Sequence, residues 1–169
     1  MATVESIVRS DLHQSPIGKT DWDPLLIDDL LQECALLDVR HFASSSVVGL
    51  LLDLRTALQL DVGNTALLVI GGVSGYSWVS DALEADTMMR TVVGSKPTPS
   101  ATDYKIELAC SPQSTFEAKG KWASFFEGNV RSIGESQPDL TSDDPATLVS
   151  GFPNWQSELE VVYSTIARG

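Results

Sequence analysis

Two oppositely charged residues interrupt an apolar stretch of the sequence. Asp53 and Arg55 stand two positions apart, directly after three leucines. Since alternate side chains of a strand point to the same side, both lie on one face of a strand predicted over residues 47–55. One interpretation is a pocket floor on which a carboxylate and a guanidinium orient a ligand. The other is a solvated face or a structural ion pair, because buried charges persist mainly as pairs.

The remaining reactive residue types form no pattern typical of an enzyme or a metal site. His13 and His41 have no cysteine or histidine at ligand spacing, so zinc is not expected. The glycine cluster 71–75 lacks the Lys-Ser/Thr of a P-loop and the full spacing of a dinucleotide fingerprint. No serine lies in a Gly-x-Ser-x-Gly turn. We therefore expect no cofactor, no metal and no catalytic residue, and we predict a protein that is not an enzyme.

Aromatic residues offer a second candidate binding site. Tyr76 and Trp78 share one predicted strand, and Trp122, Phe125 and Phe126 share another. A curved sheet lined by such side chains could hold a small apolar ligand. Large aromatic side chains are also ordinary components of a hydrophobic core. Trp78 and Trp122 are the candidate binding residues in this set.

The charge balance indicates the kind of partner. The chain of 169 residues has 11 lysines and arginines against 23 aspartates and glutamates, which gives a formal net charge of −12. Such a surface repels phosphate backbones and anionic lipids, so neither nucleic acid nor membrane is expected as a partner. A basic protein partner is favoured, because opposite fields raise the association rate. The same charge also serves solubility.

An acidic face is predicted near the N-terminus. Asp23-Pro24 is typical of a helix start. Apolar residues then recur three or four positions apart, which predicts a helix from Pro24 to about Ala35. Its polar side presents three carboxylates, Asp28, Asp29 and Glu33. This face is the candidate contact surface for a basic partner.

The rest of the chain has the period of short strands. Lys119-Gly120 predicts a hairpin between the strands on either side, and Asp144-Pro145 predicts a short helix over Pro145–Ser150. Long crossover helices are absent from the pattern, which favours antiparallel pairing. We predict an α+β fold: a mainly antiparallel, curved or sandwich-like β-sheet with one long N-terminal helix and a short helix before the last strand. Residues 1–20 are predicted to be a loosely ordered arm, and residues 21–169 a single α+β domain.

The compartment is predicted from what the N-terminus and the cysteines suggest. Residues 1–10 contain no apolar segment typical of a signal peptide. No apolar run approaches the roughly 18 residues that span a bilayer. Cys34 and Cys110 are then expected to be free thiols in a reducing compartment. We predict a cytoplasmic protein.

Three segments carry a resemblance to known proteins: residues 48–58, residues 63–69 and the turn Phe152-Pro153-Asn154-Trp155. They resemble small uncharacterised bacterial proteins that look like the acidic immunity proteins of bacterial toxin systems. The resemblance implies a binding protein that blocks a toxin by occupying its active surface, and no catalytic residue carries over. We therefore expect a non-enzymatic protein-binding domain of immunity or accessory type. A small-ligand-binding β-rich domain and a structural subunit of a larger assembly are the alternatives, and the oligomeric state is left open.

Overall fold

The fold is built almost entirely from antiparallel strands. The computed structural model describes residues 1–18, 21–80 and 89–169. The strands are β1 (Ala2–Thr3), β2 (Ala35–Phe42), β3 (Val47–Asp53), β4 (Thr65–Gly71), β5 (Gly75–Ser80), β6 (Arg90–Pro99), β7 (Tyr104–Ser111), β8 (Ser114–Gly120), β9 (Trp122–Asn129) and β10 (Glu158–Arg168). Within the described ranges these ten strands form one sheet in the order β1-β10-β9-β4-β3-β2-β6-β7-β8-β5. The same ranges contain two short α-helices, α1 (Val4–Val8) and α2 (Pro145–Gly151).

The sheet folds over itself, so that its central strands are covered on both faces. One face of β3, β4 and β9 packs against β7 and β8, in a core that includes Leu50, Leu68 and Phe116. The opposite face packs against α1 and the segment before β10, in a second core that includes Leu67 and Trp155. Every residue of β3 and β4 is buried. Burial on both faces explains why these strands are almost continuously apolar instead of alternating.

The predicted α+β fold with a long N-terminal helix is wrong. Residues 24–34 form a series of turns, and β2 begins at Ala35. Asp29 and Glu33 both have φ of 63°, a left-handed conformation that a right-handed helix does not contain. The helix that is present before the last strand, α2, begins at Pro145 as the sequence predicts, and the Asp144 carboxylate accepts hydrogen bonds from two amides of its first turn.

The turns replace the helix because the backbone of this segment bonds to β6. The Asp29 N–H donates to the Ser95 carbonyl at 2.7 Å, and the Glu33 N–H donates to the Val92 carbonyl at 2.9 Å. Of the apolar residues that suggested a helix, Leu30, Leu31 and Cys34 are buried, whereas Leu26 and Ile27 are exposed. Helical spacing of apolar residues therefore predicted burial only in part, and the contacts with β6 decided the backbone.

The predicted hairpin at Lys119-Gly120 is also wrong. β8 pairs with β7 and β5, whereas β9 pairs with β4 and β10. The chain passes at this point from one layer to the other. Gly120 allows the crossing, because a Cβ there would collide with the Gly71 carbonyl oxygen of β4.

The N-terminal segment is packed, in contrast to the predicted loosely ordered arm. β1 pairs with β10, and Val4 and Ile7 are completely buried in the second core. Further along, Ile17 forms an isolated bridge with Ser164. Residues 19–20 of the predicted arm lie outside the described residues. The apolar side chains of residues 2–8 therefore cover one face of the sheet.

His13 fastens the end of this segment to the sheet. Its Nε2 lies 3.0 Å from the Ile7 carbonyl oxygen and 3.1 Å from that of Val8, which places the proton of the neutral ring on Nε2. The ring lies against Trp122 and Phe126, with centroid separations of 4.9 and 5.2 Å. Its Nδ1 is buried and has no hydrogen-bond partner among the residues described. Burial lowers the pKa of His13, although the two carbonyl contacts oppose the shift.

We expect acidification to weaken this attachment. A lowered folded-state pKa means that the unfolded chain binds the proton more tightly. The contribution of His13 to stability is therefore fully present above its ordinary pKa of 6.5, and it is lost as the pH falls below that value through the folded-state pKa. Urea unfolding of wild type and His13→Gln between about pH 7.5 and 5.5 measures the difference. His41 is present in both proteins and cancels. Equal pH dependence in the two proteins would contradict this role.

Candidate functional site

Asp53 and Arg55, the first candidate pair, form a buried ion pair at the end of β3. The Asp53 side chain is 0% exposed and that of Arg55 is 3% exposed. The Asp53 carboxylate accepts hydrogen bonds from the Arg55 Nε at 3.1 Å and from its backbone N–H at 2.9 Å. The Nη2 group donates to the other carboxylate oxygen. Both charges are therefore paired within the chain.

The rest of the Arg55 guanidinium anchors the segment that leads to β10. Nη1 donates to the carbonyl oxygens of Gly134 and Ser136, at 3.0 and 2.7 Å, and Nη2 donates to that of Gly151 at 2.8 Å. A guanidinium has five N–H donors. Two of them bond to Asp53 and three to these carbonyl groups, so all five are used. Arg55 consequently has no N–H left for a ligand, and the pair acts as a clamp between β3 and α2.

The two candidate tryptophans lie in different places and line no common groove among the described residues. Trp122 is half-buried and its ring lies over Gly71, the residue paired with it on β4. Trp78 stands on β5 and is 37% exposed, with the Arg90 guanidinium carbon 5.3 Å from its ring centroid. Trp122 therefore belongs to the packing of the sheet, whereas Trp78 remains accessible.

Two of the three acidic candidates line an open groove. Asp28 and Asp29 form one wall of a cavity of about 620 Å³, and its floor includes Glu107 of β7 and Glu117 of β8. We call these four residues the acidic groove. Glu33 lies apart, where its carbonyl accepts a hydrogen bond from the Thr56 hydroxyl at 2.7 Å.

The floor of the acidic groove places like charges side by side. Glu107 and Glu117 are directly opposite each other in the β7–β8 ladder, an arrangement that costs stability. Lys105 Nζ lies 3.3 Å from Glu107 and 3.1 Å from Glu117, and it offsets part of this repulsion. The hydrogen bonds to these carboxylates raise the pKa of Lys105. Half of the glutamate side-chain surface stays open, at 43% and 49% exposure.

One wall of the acidic groove is fixed in place. The Asp29 carboxylate accepts a hydrogen bond from the Ser95 N–H at 3.0 Å, next to the backbone bond between the same residues.

Sequence reasoning missed Glu107 and Glu117. The signal for them was the strand alternation of β7 and β8, in which the charged residues share the outer face.

The other reactive groups are enclosed. Cys34 and Cys110 are free and buried, and burial raises the pKa of their thiols to about 12 and about 11, so both stay protonated at neutral pH. Glu127 is 2% exposed and accepts the N–H groups of Val62 and Gly63. Burial raises the pKa of Glu127, while those two hydrogen bonds oppose the shift.

The described ranges contain neither a candidate metal-binding cluster nor a candidate membrane-spanning helix. Over residues 1–18, 21–80 and 89–169, no three or more His, Cys, Asp or Glu side chains are grouped so as to hold a metal ion. The same ranges contain no helix with the length and apolar character needed to cross a membrane.

Comparison with known proteins adds little to this description. No protein-family model matches the chain, and no curated protein matches it. Among solved structures, the chain is similar to the crystal structure of an uncharacterised protein from Neisseria gonorrhoeae, with 7% identity and a TM-score of 0.42 over 59% of this chain and 96% of that one. A likeness of this size carries no argument about function, and it provides no link to immunity proteins.

Proposed function

We propose that this protein is a non-enzymatic, cytoplasmic protein-binding domain of immunity or accessory type, and that it binds a basic protein partner through the acidic groove. The observation that supports the proposal is the open groove itself, which is lined by four carboxylates and one lysine, Lys96, on a chain with a net charge of −12. Lysine or arginine side chains of a partner would complement this field and accelerate encounter.

The arrangement of the glutamates favours binding over a purely solubilising role. Charges that only maintain solubility can be spread apart, whereas Glu107 and Glu117 face each other at a cost in stability. A cation from a partner would lie between two carboxylates that Lys105 neutralises only in part. Charge-assisted hydrogen bonds of this kind are stronger than those between neutral groups.

Removing two of these charges is expected to slow association with the partner. In the double variant Asp28→Asn/Glu117→Gln, the association rate at low salt should fall about tenfold, because the steering field is weakened while the shapes are kept. Asp29 is left intact, since its carboxylate holds the Ser95 amide. The measurement is capture of a tagged protein from native lysate at low and moderate salt, identification by mass spectrometry, and binding kinetics with the purified partner.

The matched control is Asp61→Asn/Glu135→Gln, which removes the same charge from two exposed residues outside the groove. Its association rate should stay within about twofold of wild type. Equal rates for the two double variants would remove the acidic groove as the contact surface. Capture of no basic partner by the wild-type protein would contradict the proposed function as a whole.

A further inference from the structure

β5 and β2 each have a stretch of edge with no described strand beside it. In the part of the chain that the structure describes, β5 pairs with β8 alone, and it ends the strand order. β2 pairs with β3 along its length but with β6 only at Ala35 and Leu36. The backbone of β2 from residue 37 to 42 therefore has a described strand on one side only, and the sheet stays open.

These edges of β5 and β2 face each other. Tyr76 of β5 lies beside His41 of β2, with ring centroids 5.1 Å apart. Near the other end of β5, the Ser80 hydroxyl lies 3.0 Å from Nη2 of Arg90, the residue that pairs with Leu36. β5 therefore runs antiparallel to β2, although no ladder joins the two strands within the described ranges. We call the gap between residues 37–42 and β5 the seam.

Grooves lie on both faces of the seam. One, of about 340 Å³, is bordered by Val39, Tyr76 and Trp78. The other, of about 470 Å³, is bordered by Leu51, Phe152 and Trp155, on the opposite face of β2. Both grooves share Leu37 and Asp38 of β2. Because side chains of a strand alternate between faces, a strand laid along β2 would send alternate side chains into the two grooves.

The sequence of β5 lacks the features that normally protect an edge strand. Proteins usually place charges, prolines or bulges there. β5 reads Gly-Tyr-Ser-Trp-Val-Ser, without a charged residue or a proline, and all of its residues are exposed. Tyr76, Trp78 and Val79 are 45%, 37% and 55% exposed. A neutral and largely apolar strand that pairs, among the described strands, with β8 alone is suited to accept another strand.

We infer that the seam binds an extended peptide segment of a partner protein by β-strand addition. The segment would carry apolar side chains at alternate positions and lysine or arginine beside them. Charge decides between the two main occupants: a second copy brings another net charge of −12 to the contact, whereas a basic segment is attracted. The inference is independent of the acidic groove, whose lining residues are different.

Selection from a displayed library of random twelve-residue peptides against the full chain tests the inference. We expect enriched peptides with alternating apolar residues and flanking lysine or arginine. Methylating every second backbone nitrogen of a selected peptide should weaken binding by at least about tenfold, because the main-chain hydrogen bonds of an added strand are lost. Trp78→Ala should weaken binding by about tenfold, through loss of a groove wall.

The matched control is Val162→Ala, which truncates an exposed apolar residue of β10 far from the seam in the strand order. Its peptide affinity should equal that of wild type. The inference would be overturned if no peptide were enriched, or if N-methylation or Trp78→Ala left the affinity unchanged. A concentration-dependent dimer that Trp78→Ala dissociates would assign the seam to a second copy instead. If Trp78→Ala lost peptide binding but kept the wild-type association rate of the acidic groove with the basic partner, the seam and the acidic groove would be two distinct binding surfaces.

Discussion

Replacing Arg55 with leucine is expected to lower the free energy of unfolding by about 3–5 kcal/mol. The substitution leaves the Asp53 carboxylate, which is 0% exposed, in the interior without its cation. It also releases the carbonyl groups of Gly134, Ser136 and Gly151 from their donors. Urea unfolding monitored by circular dichroism measures the change. The urea midpoint should fall, while the m-value, the slope of the free energy of unfolding against urea concentration, should stay the same.

The matched control is Arg131→Leu, which removes an arginine from an exposed pair. Arg131 is 71% exposed and its Nη2 lies 2.7 Å from Glu160. Exposed pairs contribute little, so the loss should stay below about 1 kcal/mol. Similar losses for Arg55→Leu and Arg131→Leu would show that burial does not strengthen the Asp53–Arg55 pair.

The double variant Asp53→Leu/Arg55→Leu separates the two causes. Removing both charges leaves no uncompensated carboxylate, so part of the stability lost in Arg55→Leu should return. The stability that does not return measures the contribution of the hydrogen bonds from Arg55 to the three carbonyl groups. If the double variant were no more stable than Arg55→Leu, the anchors and not the buried charge would account for the loss.

The substitution Gly71→Ala is expected to destabilise the protein by about 1–3 kcal/mol through overpacking. A Cβ at Gly71 would overlap the six-membered ring of Trp122, which lies across the strand pair. Trp122 would have to leave its position, and its contact with the His13 ring would be lost. Urea unfolding gives the stability, and the pH dependence associated with His13 should become weaker in the same variant.

Gly75→Ala is the matched control from the same glycine cluster. A Cβ at Gly75 would meet no atom of the described residues within 4 Å, and its φ is not in the left-handed region. Its effect should be within about 0.5 kcal/mol of zero. A large loss of stability in Gly75→Ala, or none in Gly71→Ala, would contradict the conclusion that Trp122 packs over β4 only because residue 71 has no side chain.

Strand positions were predictable because they depend on local pattern. The alternation in β7 and β8 and the apolar runs of β3 and β4 come from which faces are buried, and each face leaves its period in the sequence. α2 was predictable for a similar reason, since the Asp144 carboxylate and the proline after it act on their own helix. Antiparallel pairing followed from the absence of long crossover segments.

Residues 24–34 and the order of the strands were not predictable in this way. The turns are held by the hydrogen bonds between Asp29 and Ser95, residues 66 positions apart in the chain. β8 and β9 are neighbours in sequence yet lie in different layers, because Gly120 lets the chain cross close to β4. A local period indicates which residues tend to be buried, and it carries no information about which distant strand covers them.

The same division holds for the candidate surfaces. The sequence by itself determined the acidity of the chain and the closeness of Asp53 and Arg55, which are two residues apart. Tertiary structure alone decided that the guanidinium is fully used by carbonyl groups from a distant segment, which makes the pair structural. It also brought Glu107 and Glu117 beneath Asp28 and left the edges of β2 and β5 facing each other. Charge is a sum over residues and can be read along a chain, whereas burial, saturation of donors and open edges depend on which segments meet in space.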